Sequence, residues 1–114
     1  MILTGKAKRR FLKWLKTRVN SILHEIDKID FWFSLQDESF KLSLIVEWLE
    51  SVGIFIDSLH SYSFDDTLEY CVKVNNIYIT HGIKNKPINR FKSRQEATKQ
   101  AIFKANEIYN ERHK

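Results

Sequence analysis

The chain has 114 residues, the length of one ordinary domain, and its hydrophobic fraction of 43% is too high for a disordered protein. No apolar run approaches the ~20 residues that cross a bilayer, no signal-peptide core follows Met1, and a single cysteine, Cys71, excludes an internal disulfide. These features predict a folded protein of the reducing cytoplasm without a transmembrane segment.

The net charge of +5 is distributed in three blocks. Residues 1–24 hold seven Lys or Arg and no acid, residues 25–70 hold two Lys against eleven Asp or Glu, and residues 71–114 hold ten Lys or Arg against three Glu. Two basic ends favour a polyanionic partner, and we expect their cations to meet on one surface. Solubility and internal charge pairing are the alternative explanation.

The first predicted element is an amphipathic helix over residues 6–28. Its apolar residues recur every three or four positions, which keeps them on one stripe. The first half is rich in cations that suit phosphate contact, while docking on a partner helix or a membrane, or a purely structural helix, are alternatives. The predicted nucleic-acid contacts in this helix are Lys6, Arg9, Arg10, Lys13 and Lys16.

The middle of the chain predicts a helix followed by three strands. Residues 30–34, Asp-Phe-Trp-Phe-Ser, are expected to form a short strand or an extended connector. A helix over 38–52 has Asp37 or Ser39 as its N-cap and ends at Gly53. Strands are expected over 54–63, 67–75 and 77–83. Asn75 and Asn76 are expected to form the second hairpin turn, because Asn tolerates positive φ.

The last helix is predicted from Ser93, whose Ser-Arg-Gln-Glu run is a capping box, to about Glu111. The preceding segment, residues 84–92, is expected to be a basic loop beside a helix N-terminus, where an anion is favoured. A solvated loop is the alternative. The predicted nucleic-acid contacts in this second group are Lys84, Lys86, Arg90, Lys92 and Arg94.

Together these elements predict an α+β protein. Residues 1–30 would form a basic amphipathic helix packed on the domain or extending from it, and residues 31–114 a single αβββα domain with a three-stranded antiparallel sheet.

Residues that could carry catalysis form no motif. The four histidines are scattered, no spacing suits a metal, and no glycine-rich phosphate loop occurs. Asp65 and Asp66 are explained by a turn, and Cys71 by incidental use on the polar face of a strand. The sequence therefore predicts no enzyme activity, no catalytic residue, no metal, no cofactor and no small-molecule substrate.

The segment Ser93 to Ala105, Ser-Arg-Gln-Glu-Ala-Thr-Lys-Gln-Ala-Ile-Phe-Lys-Ala, resembles the last helix of double-stranded-RNA-binding domains, where Ser-Lys-Lys-x-Ala-Lys-x-x-Ala-Ala-x-x-Ala opens the helix. The αβββα order from about residue 38 is also that family's order. The resemblance implies that Arg94 contacts phosphate while Ala97 and Ala101 pack on the sheet together with Ala105.

The sequence departs from that family at both of its contact points. Gln95 and Thr98 stand where the family has basic residues. Asp65 and Asp66 lie where it has a glycine-proline-histidine loop for the minor groove. Two acids there would repel RNA.

Residues 91–97 are also similar to the start of the final helix in small uncharacterised proteins of bacteriophages and mobile elements. That resemblance implies an accessory or anti-defence role in the host cytoplasm. An anti-CRISPR-type inhibitor that occupies a protein or RNA surface of a host nuclease complex is one example.

Three hypotheses of function follow. The first is a non-enzymatic protein that binds RNA or a protein–RNA effector complex through the two cationic groups. The second is a protein–protein inhibitor or adaptor that uses the acidic middle and exposed aromatics among Phe31, Trp32 and Phe33, although such aromatics are more typical of a core. The third is a structural protein that self-associates through the N-terminal helix. The oligomeric state stays open.

Overall fold

The computed structural model describes residues 1–19, 26–62, 68–79, 81–83, 86–88 and 91–114, with side chains over 1–19, 28–58, 69–79 and 91–114. Within these ranges the helices are α1 (Gly5–Val19), α2 (Ile26–Ser34), α3 (Glu38–Ser51) and α4 (Arg94–Arg112). The strands are β1 (Ile56–Tyr62), β2 (Leu68–Val74), β3 (Ile77–Tyr78), β4 (His81–Ile83) and β5 (Lys86–Ile88). β1, β2 and β3 form an antiparallel sheet in that order, which confirms the α+β class and the αβββα order.

The N-terminal region differs from the prediction of one helix over 6–28. α1 ends at Val19 and α2 begins at Ile26, while residues 20–25 lie outside the described ranges. The prediction of a strand or connector over 30–34 is wrong, because these residues continue α2. Ile29 and Phe33, one helical turn apart, are both buried in the core, so helical burial outweighs the strand propensity of the aromatic run.

α1 is fixed to the last turns of α4 by two asparagines. The Thr4 N–H donates to Asn106 Oδ1 and the Ala7 N–H donates to Asn110 Oδ1, both at 2.9 Å. A helix start leaves its first N–H groups without partners, and here the α4 amides supply them. Further along α1, Phe11 packs edge-on against Phe33 at 5.1 Å between ring centres, which joins α1 and α2 to the common core.

Local signals set the bounds of α3 and α4 as predicted. Asp37 Oδ2 accepts a hydrogen bond from the Ser39 N–H, and Ser93 Oγ accepts one from the Glu96 N–H, both at 3.1 Å. Gly53, just after α3, has φ +85°, a conformation that favours glycine. α4 packs on β1 and β2. Its side facing the sheet carries the buried alanines Ala97, Ala101 and Ala105.

The third strand is interrupted, contrary to the prediction of one strand over 77–83. Asn75 and Asn76 have φ 50° and 70°, as a tight hairpin turn requires, and the Ile79 N–H donates to Val72 O at 3.0 Å. Continuing that register would bring His81 opposite Tyr70. Tyr70 instead exchanges two backbone hydrogen bonds, of 2.7 and 2.6 Å, with Phe91, ten residues further along.

Residues 81–90 are therefore an insertion in the third strand. β4 pairs with β5 in a separate two-stranded sheet within this insertion. The expected basic loop over 84–92 thus contains a strand, β5. The sequence predicts one continuous third strand because apolar alternation continues from Ile77 into β4. Only the long-range pairing of Phe91 with Tyr70 shows where that strand is interrupted.

Candidate nucleic-acid interface

The predicted contacts on α1 share one side of the helix. At 100° per residue, Lys6, Arg9, Arg10, Lys13 and Lys16 fall within an arc of about 120°, on the side opposite the buried Ala7, Phe11 and Leu15. The first four are exposed and Lys16 is half-exposed. We call these five residues the outward stripe.

The other two cations of α1 are paired with the protein's own carboxylates. Lys8 Nζ lies 3.3 Å from Asp30 Oδ2, and the Arg18 guanidinium forms an ion pair with Glu47. Arg18 also lies over the Trp14 ring, 5.2 Å from its centre. The acidic middle of the chain therefore neutralises two cations of α1, and neither belongs to the outward stripe.

Members of the outward stripe differ in how firmly they are held. Lys6 Nζ donates to the His113 carbonyl, and Arg10 lies over the Tyr109 ring at 6.0 Å from its centre. Among the side chains that the structure describes, no carboxylate lies within ion-pair distance of Arg9, Lys13 or Lys16. Within the described side chains, these three charges are therefore not neutralised by a carboxylate.

The stripe has a suitable length for several phosphates. From Lys6 to Lys16 the helix rises about 15 Å. Phosphates of one strand of a B-form duplex are spaced about 3.4 Å along the duplex axis, so a stripe of this length lies beside roughly four of them. Lys and Arg side chains add a reach of several ångströms on either side.

The second predicted group is described only in part. Lys92 and Arg94 are exposed at the start of α4, and the Arg94 guanidinium lies 5.7 Å from the centre of the Tyr70 ring. Lys84 and Arg90 lie outside the described residues, and Lys86 is described by its backbone alone, in β5. Whether these three contact nucleic acid stays a prediction.

Lys6 and Arg94 lie at opposite ends of α4. Lys6 contacts His113 at the end of α4, whereas Arg94 begins that helix. Nineteen residues of helix separate these ends by about 28 Å. The expectation of one continuous cationic surface stays a prediction, because no side chain of Lys84, Lys86 or Arg90 is described.

Arg94 shares a groove with acidic side chains. The groove between α3 and the start of α4 is lined by Glu47 and Glu50 as well as by Arg94. Further along the same two helices, Glu38 forms ion pairs with Lys99 at 2.7 Å and Lys41 at 3.4 Å. The described surface around Arg94 is thus mixed in charge, whereas the outward stripe of α1 carries only cations.

The aromatic run on α2 divides between core and surface. Phe33 is 3% exposed and Trp32 is half-buried, but Phe31 is 68% exposed. Leu35, one helical turn after Phe31, is also 68% exposed. The sequence analysis did not single out Leu35, although its i, i+4 spacing from Phe31 would have identified the pair once α2 was known to be a helix.

Metal-ligating side chains do not assemble in the part of the chain with described positions. No group of three His, Cys, Asp or Glu lies close enough to hold an ion there, and Cys71 is half-buried on β2. Nor is any helix in these ranges long and apolar enough to cross a bilayer.

Comparisons with protein-family models, with curated proteins and with solved structures find no match to this chain.

Proposed function

We propose that the protein is a non-enzymatic binding protein that contacts the phosphates of RNA, free or within a protein–RNA effector complex, through the outward stripe of α1. The observation that carries the proposal is the sorting of charge on α1. Cations beside the core are paired with Asp30 and Glu47, whereas no described carboxylate lies within ion-pair distance of the outward stripe.

Phosphate is the anion that best matches this arrangement. Guanidinium and ammonium groups donate strong, charge-assisted hydrogen bonds to phosphate oxygens, and five of them in a row release several counterions on binding. A helix also holds its side chains at fixed spacing, so little backbone order has to be gained on contact.

Base-specific contacts are not expected from this stripe. Trp14 borders it but is half-buried, and its ring stacks on Phe11 and Arg18. Phe11 and Trp14 are the only aromatic residues of α1. Without a free ring on which bases can stack, the stripe is suited to backbone contact that depends little on sequence.

Salt dependence tests the proposal. Fluorescence polarisation with duplex RNA, single-stranded RNA and duplex DNA, at two salt concentrations, should give affinities for RNA that fall steeply as salt rises. Five phosphate contacts predict a slope of log K against log salt of about −4.5 on a duplex, roughly a 500-fold loss between 50 and 200 mM salt.

A matched pair of variants assigns the contact to the stripe. The double substitution Arg9→Ala with Lys13→Ala should make the slope shallower by about 1.8, and alanine keeps the helix intact. The control is Lys104→Ala with Lys114→Ala, which removes one exposed lysine of α4 and one just after it that pair with Glu107 and Glu111. Equal effects of the two double variants, or weak binding to all three nucleic acids at both salt concentrations, would contradict RNA contact by the stripe.

A protein–protein inhibitor or adaptor is the second candidate. The observation in its favour is the pair Phe31, on α2, and Leu35, in the turn just after it, two large apolar side chains that are each 68% exposed. Capture of partners from host lysate, with and without nuclease, separates the candidates. A CRISPR-type nuclease effector retained after nuclease and high salt, and lost on Phe31→Ser, supports this candidate. Loss on nuclease treatment supports the first.

A further inference from the structure

β1 has one edge without a partner in the described structure. It pairs along all seven of its residues with β2, and the sheet places no described strand on its other side. An unpaired strand edge presents a row of N–H and C=O groups that another strand can complete.

The hydrogen-bond pattern shows which backbone groups of β1 face away from β2. The Asn75 N–H donates to Phe55 O at 2.9 Å, so the backbone groups of residue 55 face β2. Because these directions alternate along a strand, Asp57, Leu59 and Ser61 also face β2. The backbone groups that face away from β2 belong to Ile56, Ser58, His60 and Tyr62.

β1 lacks the features that usually protect such an edge. Natural edge strands are often very short, bulged, or marked by Lys or Pro. β1 runs from Ile56 to Tyr62 without a bulge in its register, contains no Lys, Arg or Pro, and carries one carboxylate, Asp57.

We infer that β1 is the seam of a symmetric homodimer in which the β1 strands of two copies pair antiparallel. A twofold axis perpendicular to the sheet is required for this geometry, and the longest overlap of β1 with itself is centred on Leu59. The two three-stranded sheets would then form one continuous sheet of six strands.

A second copy fits the edge because β1 is self-complementary in this register. Ser58 lies opposite His60 of the second copy, and Ile56 lies opposite Tyr62. These are the residues with free backbone groups, so each free N–H meets a free C=O. Asp57 lies opposite Ser61 rather than opposite another Asp57, and no like charges face each other.

Disulfide trapping tests the register. In a Cys71→Ala background, Leu59→Cys brings two cysteines opposite each other in a non-hydrogen-bonded pair with Cα atoms about 4.5 Å apart, within the range of a disulfide. The matched control, Asp57→Cys, separates the two cysteines by about 14 Å along the strands. Mild oxidation should give a covalent dimer of the first variant and leave the second variant without a covalent link between its chains. Equal cross-linking of both, or none, would overturn the inference.

Light scattering with a proline variant tests the seam independently. The wild-type chain should have twice its monomer mass of 13.6 kDa. Ser58→Pro removes an N–H that faces away from β2 and leaves the β1–β2 hydrogen bonds in place, so it should yield a folded monomer by circular dichroism. A wild-type chain that stays monomeric at high concentration would refute the homodimer. That result is expected if the β1 edge pairs with a strand of another protein. If Ser58→Pro fails to fold, the two cysteine variants still decide.

Discussion

Gly5 shows how one residue holds α1 in place. Its φ is +60°, and a Cβ at this position would approach the Asn110 side chain to 3.3 Å. Gly5→Ala should therefore lower the free energy of unfolding in urea by more than the ~1–2 kcal/mol of the left-handed conformation alone. Gly53→Ala is the matched control, because φ there is +85° and no atom lies within 4 Å of its added Cβ. Equal losses in the two variants would mean that contact with Asn110 adds nothing.

Glu38 is the residue for which a pH effect is expected. The hydrogen bond from Lys99 is the main reason that the pKa of Glu38 lies below its ordinary value. Partial desolvation raises this pKa, and Lys41 lowers it further. Between the lowered pKa and the ordinary value the unfolded chain binds more protons. The stabilisation by these ion pairs is thus complete above the ordinary pKa and is lost as pH falls through the folded one.

Glu38→Gln should make the acid limb of the stability curve shallower. The free energy of unfolding, followed in urea from neutral pH to below pH 4.5, should fall less for this variant than for the wild type. Glu50→Gln, on the exposed side of the same helix, is the control and should keep the wild-type slope. An unchanged slope in Glu38→Gln would show that the ion pairs do not form in solution.

At the scale of elements, the register of the third strand predicts that residues 81–90 can be removed. Their deletion brings Phe91 directly into the position opposite Tyr70 that a continuous strand requires. We expect the shortened chain to fold, with a free energy of unfolding within about 1 kcal/mol of the wild type, because loop entropy changes slowly with length. Urea denaturation followed by circular dichroism measures this.

The deletion also removes three predicted contacts, Lys84, Lys86 and Arg90, without changing α1. If they bind phosphate, the salt slope should become shallower by up to about 2.7. The control is the deletion of nine residues, 82–90. It leaves the third strand one residue out of register, which would turn the buried Phe91 to the opposite face of the sheet. If neither shortened chain folds, the interpretation of residues 81–90 as an insertion in the third strand is contradicted.

The elements that sequence predicts well are those with local signals. Asp37, Ser93 and the Asn75-Asn76 turn each fix an element through neighbours within three residues. The break between α1 and α2 and the insertion in the third strand depend on packing and pairing between distant residues, which periodicity alone does not reveal. Apolar periodicity continues across both places, so the sequence predicted one helix and one strand.

At the scale of the whole molecule, the same distinction applies to charge. The run of cations between residues 6 and 16 predicted the five contacts of the outward stripe. It could not predict that Asp30 and Glu47 would neutralise Lys8 and Arg18, because those acids come from other helices. The distance between Lys6 and Arg94 likewise depends on how α1 packs along α4, which only the tertiary structure shows.

The docking of α1 on the Asn106 and Asn110 amides has a consequence for biosynthesis. Thr4 and Asn106 are 102 residues apart, so α1 leaves the ribosome long before its partner helix exists. Until α4 is made, the apolar side of α1 lacks the helix that covers it in the folded protein. During that time the cations of α1 lie close to ribosomal RNA. The proposed RNA-binding element would thus be exposed to a competing polyanion throughout translation, and would reach its final place only after α4 has emerged.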